Sequence, residues 1–319
     1  MSSSPSEARG SGRGKLILFG EHAVVYGKPA VAAGLPRGAR AIARAAAGDL
    51  STLSLREEPG GEVRTRISPS ADGERVERAF EAILSQFGAD AAQAIEPVDV
   101  EVTLEVPIGV GLGSSAALAV AVSRALASFF ERPERVDDAV EASERVFHGN
   151  PSGIDQLAAA SGGLFFFSRG DGLESAPIEA PPLTLAVCQA GPAASTSEMV
   201  EGVAGLNERE PQLVSYLNML IGDLARSASG ALADGDWRRV GELMDMNHGA
   251  LSALGVTTAE LDAACHTARS AGAIGAKLTG AGGGGCVYAL TPDGADAVLD
   301  AWAEHGWNGF EVTIGAPDA

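Results

Sequence analysis

An α+β protein of two domains is predicted by three features of the 319-residue sequence. Strand-like and helix-like segments are mixed without the strict alternation of a doubly wound sheet. The second half reads strand, helices, strand, strand, helix, strand, an order that suits helices packed on one face of an antiparallel sheet. Between the halves, segment 169–182 carries Gly, Asp and Pro, which break regular structure. The domains are accordingly placed at 1–172 and 173–319.

Each element has its own signal. Lys15–Phe19 is a short apolar strand after a polar tail, so the first strand is expected to be shortened or absent. Segments 39–47, 50–55 and 62–68 are β-rich. Apolar residues Val76, Ala79, Phe80, Ile83, Leu84 and Phe87 recur at helical spacing over 75–87, with Gly88 at the helix end. Val98, Val100, Val102, Leu104 and Val106 alternate with Asp99, Glu101, Thr103 and Glu105, the pattern of a half-buried strand. Helices follow at 116–130, 134–147 and 154–161, then a strand at 164–167. The second half holds strand 183–188, helical stretches 196–229, 236–253 and 258–271, strands 273–278 and 286–290, helix 293–304 and strand 310–314.

Composition narrows the function. The chain is 45% hydrophobic and 20% charged, which fits a sizeable core. A formal charge of −19 repels phosphate backbones and anionic lipid, so neither nucleic acid nor membrane is an expected partner. No apolar run is long enough to span a bilayer, and the N-terminus has no signal-peptide pattern. Cys188, Cys265 and Cys286 are scattered, which argues against a disulfide framework or zinc site and suits a reducing cytoplasm. Lysine is rare in this Arg-rich chain: only Lys15, Lys28 and Lys277.

Four constellations carry chemistry. In Pro107-Ile108-Gly109-Val110-Gly111-Leu112-Gly113-Ser114-Ser115-Ala116, glycines precede serines between a strand and a helix. Such a loop lets backbone approach a phosphate, and the helix start favours anions. The plainer reading is a glycine turn with a serine cap. Gly111, Gly113 and Ala116 also fit a dinucleotide fingerprint, but a second helix follows where that fold needs a strand ending in an acid. No P-loop signature occurs. In Lys15–Gly27, a rare lysine heads the apolar strand and Glu21-His22 closes it; a solvated strand end and a polar turn are the plain alternatives. Glu144 and Asp155 flank the Pro/Gly loop of His148–Gly153. Two acids so placed can serve a metal and a reacting hydroxyl, or Asp155 can simply cap its helix. Finally, Lys277–Cys286 has five glycines in the six positions 280–285, which points to close approach by a ligand or loop, or to a flexible hairpin.

Together these motifs resemble the GHMP small-molecule kinases. Gly20-Glu21-His22-Ala23-Val24-Val25-Tyr26-Gly27 and His148–Asp155 resemble the branch that phosphorylates mevalonate on the route to isoprenoids. The resemblance implies an N-terminal ribosomal-protein-S5-like domain and a C-terminal ferredoxin-like α+β sandwich. It implies ATP and Mg²⁺ as cofactors, small-molecule partners only, and allows a homodimer. Pro107, Gly109, Gly111, Leu112, Gly113, Ser114, Ser115 and Ala116 should wrap the ATP phosphates. Ser115 and Glu144 should hold Mg²⁺, with Asp155 as base or orienting anion and Lys15 beside it. Glu21, His22, Ser152, Thr196, Gly280 and Ala281 should line or close the substrate pocket. Other small alcohols (homoserine, a sugar, phosphomevalonate) and a catalytically silent nucleotide sensor on the same fold are the alternatives.

Overall fold

The computed structural model describes residues 6–58, 63–88, 95–148, 153–169, 173–192 and 194–315. Those within 1–15, 37–108 and 113–162 form one compact unit, and those within 16–36, 109–112 and 163–319 form a second.

The first unit begins with β1 (Ala8–Phe19), whose last four residues belong to the second unit. The expected short first strand is therefore corrected: the polar tail is itself strand from Ala8. Glycine explains why. A Cβ on Gly10 would overlap the carbonyl of Ala121, and one on Gly12 would overlap that of Ala117. The tail lies flush against an alanine-rich helix, where any side chain would hold it off. Arg124 secures it, donating to Ser11 O and Ala160 O at 2.8 Å each.

Strands β2 (Ala30–Ala45), β3 (Thr52–Glu57), β4 (Val63–Ile67) and β5 (Val98–Leu104) follow, with α1 (Arg75–Ser85) between the last two. β3 pairs antiparallel with β4 and parallel with β5, and β5 pairs antiparallel with β2 over Ala39–Ala45. The alternation read in β5 holds: Val98, Val100, Val102 and Leu104 are buried. They meet α1, α2 (Ser114–Phe129) and α3 (Val136–His148), with α4 (Ile154–Ser161) beside α2. Helix α2 is buried on nearly all sides by small residues, while Phe80, Phe87 and Phe129 fill the larger gaps. Each such aromatic contributes roughly 1.5–3 kcal/mol by burial.

In the second unit, β6 (Gly163–Arg169) pairs with residues Ala30–Gly34 of β2 and with β7 (Leu173–Ile178). β7 lies within the segment read as irregular. Its Pro177 is tolerated because β7 ends the run of paired strands, where a missing N–H breaks no second ladder. Next come β8 (Leu183–Gly191), α5 (Thr196–Arg209), α6 (Pro211–Asp234), α7 (Trp237–Ala253) and α8 (Ala259–Ser270). The single helix expected over 196–229 is broken before Pro211, which disfavours helical geometry at Glu210 (φ −133°, ψ 60°). Then β9 (Gly275–Leu278), β10 (Gly285–Leu290), α9 (Asp296–Glu304) and β11 (Gly309–Ile314) complete an antiparallel sheet ordered β11-β8-β10-β9. Its core includes Trp302, whose indole donates to Ala264 O at 2.9 Å.

β9 is an edge strand, and side chains complete its outer ladder. Asp245 accepts from Ala276 N–H at 3.1 Å, Arg269 donates to Ala276 O at 2.6 Å, and His248 Nδ1 accepts from Leu278 N–H at 3.4 Å. Among the described residues, no helix is long and apolar enough to cross a membrane.

Candidate active site

Lys15 and Asp155 meet in the first unit. Strand β1 carries the lysine, and the first turn of α4 carries the aspartate after Gly153, whose φ of 86° turns the chain into that helix. Lys15 Nζ lies 2.8 Å from Asp155 Oδ1, with the lysine largely buried and the aspartate side chain 26% exposed. Glu144, on α3, is fully buried. Its carboxyl is pushed up to about 7, first by burial and then by the Asp155 charge, against the opposing effects of Lys15 and a hydrogen bond from Ser115. Lys15, Ser115, Glu144 and Asp155, drawn from three of the sequence motifs, are thus neighbours.

Gly113 packs directly behind the lysine. It caps α2 with φ 71°, and a Cβ there would lie 2.8 Å from Lys15 Cβ. The first turn of α2 contains Ser114, Ser115 and buried Ala116 and no acid, so its positive end is not neutralised by its own sequence. Pro107, half-buried, belongs to this unit; Gly109, Gly111 and Leu112 belong to the second. Gly109 is exposed, and a Cβ there would meet nothing within 4 Å. Packing does not demand glycine at that position; the backbone, with φ 79°, does.

Glu21, His22, Gly280 and Ala281 come together in the second unit. A short turn of 3-10 helix over Ala23–Tyr26 follows His22. His22 Nε2 is 2.8 Å from Ala281 O. A carbonyl oxygen only accepts, so Nε2 carries the proton. Burial lowers the His22 pKa, which leaves the ring neutral at pH 7 and gives Nδ1 an acceptor lone pair. Gly280 abuts Gly111, with a Cβ on the former falling 3.6 Å from the latter's Cα. Glu21 is buried and ion-paired with Lys277. Thr196 opens α5 and is exposed. Ser152 lies outside the described residues.

Residues with no assigned role in the sequence reading build much of this second cluster. Lys277 is one, flagged only by the scarcity of lysine. Thr279 Oγ1 donates to Ile17 O at 3.0 Å and accepts from Ile17 N–H at 3.2 Å, and Tyr288 donates to Leu18 O at 2.6 Å. Nothing in the sequence pairs these positions, because the contacts run between β1 and the β9–β10 hairpin, which are distant along the chain.

The donor set also bears on metal. Among the described residues no group of three or more His, Cys, Asp or Glu could hold an ion. A hydroxyl and one buried carboxylate, Ser115 and Glu144, still suit Mg²⁺, which keeps several waters and takes phosphate oxygens as ligands.

A lysine–aspartate pair and a buried acid beside a serine at a helix start are groups of the kind that phosphoryl transfer uses. Residues 74–163 match the family model of the GHMP kinases N terminal domain and residues 228–307 that of the GHMP kinases C terminal domain. The chain belongs to the GHMP kinases. Its relatives include a mevalonate kinase of Thermococcus sibiricus, 36% identical with 90% of each chain covered. Another from Aeropyrum pernix is 32% identical with 96% of each covered. Among solved structures, L. major mevalonate kinase in complex with R-mevalonate superposes with a TM-score of 0.84 at 28% identity, covering 100% of both chains. Lactococcus lactis galactokinase complexed with galactose, at 21% identity, shares the fold with a TM-score of 0.77 over 100% of this chain and 96% of that one.

Proposed function

We propose that this chain transfers the terminal phosphoryl group of ATP to the primary hydroxyl of mevalonate. The observation that carries the reading is the joining of Lys15, Asp155, Glu144 and Ser115 in one unit. Full-length relatives named mevalonate kinase support the substrate.

Asp155 accepts the proton of the attacking hydroxyl, or holds that hydroxyl in line, from a position half-open to solvent. Lys15, paired with it, orients the carboxylate and places positive charge where the transferred group gains negative charge. Ser114, Ser115 and the N–H groups at the start of α2 receive the nucleotide phosphates. Ser115 and Glu144 would hold Mg²⁺, which when bound supplies charge neutralisation at the phosphates. His22 offers Nδ1 as an acceptor to a substrate hydroxyl, and Ser152, Thr196, Gly280 and Ala281 complete the substrate assignment. Glu21 takes part indirectly, since Lys277 occupies it. Buried free cysteines at 188, 265 and 286 fit a reducing cytoplasm.

A coupled ADP-release assay with mevalonate, homoserine, galactose and phosphomevalonate tests the reading. Mevalonate is expected to give the highest kcat/KM. Preference for another alcohol would replace the substrate, and no turnover with any would favour a nucleotide sensor.

A further inference from the structure

His22 is held in a conformation that its own backbone does not favour. It and Glu131 are the non-glycine residues with positive φ among those described, and His22 has φ 60° and ψ −49°. Local hydrogen bonds close the turn: Ala23 N–H to Glu21 O at 2.6 Å and Val25 N–H to His22 O at 3.0 Å. These fix the path of the chain but not the tilt of the imidazole against Ala281.

The Glu21 side chain reaches inward from the same turn, is 1% exposed, and pairs with Lys277, which is 0% exposed. Lys277 Nζ also donates to Leu278 O at 2.8 Å, and it lies 5.3 Å from the ring centroid of Tyr288. Lys277 therefore grips the turn carrying His22 on one side. On the other it grips the strand that runs into Thr279, Gly280 and Ala281. The bond from His22 Nε2 to Ala281 O closes that circuit.

A buried ion pair adds little to stability over hydrocarbon of the same volume, because both charges must be desolvated. What it adds is direction. We propose that Lys277 is a positioning residue: through its buried pair with Glu21 it sets His22 against Ala281 and so fixes which imidazole nitrogen is offered to a hydroxyl-bearing substrate. The proposal rests on the reading of His22 as a substrate-binding residue.

The test uses full-length protein labelled with ¹⁵N-histidine, with the His22 signals assigned by their loss in His22→Asn. Two variants are compared with the parent. Glu21→Leu/Lys277→Met removes both charges together and strands neither. Glu21→Asp keeps both charges on a shorter arm, and so keeps the test open should the double variant fail to fold. The parent is expected to show the Nε2–H tautomer of His22. In each variant that unfolds cooperatively on heating, the tautomers should mix and the mevalonate KM should rise at least 10-fold, with the ATP KM within twofold of the parent. A folded variant of either kind with the parent's tautomer and mevalonate KM overturns the proposal. Absence of mevalonate turnover in the parent would overturn the substrate reading instead, while the tautomer comparison would still decide the role of Lys277.

Discussion

Lys15 and Asp155, brought from the first strand and the fourth helix, form an ion pair of 2.8 Å that shields the ammonium almost wholly while leaving the carboxylate reachable. On the proposed function, that asymmetry divides their work. The lysine is anchored and the aspartate can meet a substrate. Asp155→Asn is expected to bind ATP as the parent does and to lose roughly 10²–10⁴-fold in kcat, the range of a lost general base. Nucleotide titration together with ADP-release rates checks it, and parent-like turnover would remove Asp155 from the chemistry.

Glu144 makes stability depend on pH. Its carboxyl titrates at about 7 in the fold, against an ordinary value of 4.5, so between these values the folded state binds more protons than the unfolded one. Stability therefore falls as pH rises from about 4.5 to about 7 and stays lowered above that, by as much as ~3 kcal/mol. Glu144→Gln should flatten this slope in urea titrations at pH 5.5 and 8, and a slope equal to the parent's would contradict the assignment.

The same group predicts a proton count. Binding of Mg²⁺ and nucleotide near pH 7 should expel part of a proton from Glu144, since a hard cation takes the ionised carboxylate. Calorimetry in two buffers of different ionisation enthalpy measures this release, and it should shrink in Glu144→Gln.

Two glycines of one loop should respond differently to alanine. At Gly109 the new methyl meets open space, so the cost is the left-handed backbone alone, on the order of 1–2 kcal/mol. At Gly113 it also presses on Lys15 Cβ at 2.8 Å. Gly113→Ala should lower kcat at least 10-fold more than Gly109→Ala, and equal effects would mean that Lys15 tolerates displacement.

Gly282 tests the other glycine run. A Cβ there would overlap the carbonyl of Val256, a backbone atom that cannot swing aside, and φ is 76°. Gly282→Ala should therefore lower Tm by ~4 °C or more, as a loss of about 2 kcal/mol would. An unchanged melting curve would show that the loop tolerates a side chain.

Element types were largely readable because periodicity is a local property: the valines of β5 and the apolar face of α1 declare themselves within a few residues. β1 was underestimated because Gly10 and Gly12 look like a flexible tail until the alanines of α2 are seen against them. β7 was hidden by Pro177, whose tolerance depends on edge position, a tertiary fact. The resemblance to the kinases led to the expectation that Lys15 lies beside Asp155 and Ser115 beside Glu144, and the structure brings these four together. The partner of Glu21 was not, because no local rule links it to Lys277 across the intervening chain.

The side chains that finish the outer ladder of β9 have a consequence for association. With Ala276 and Leu278 already bonded to Asp245, Arg269 and His248, a strand from another molecule finds no open template there. Fibril-like growth and strand-swapped pairing are therefore disfavoured along that border.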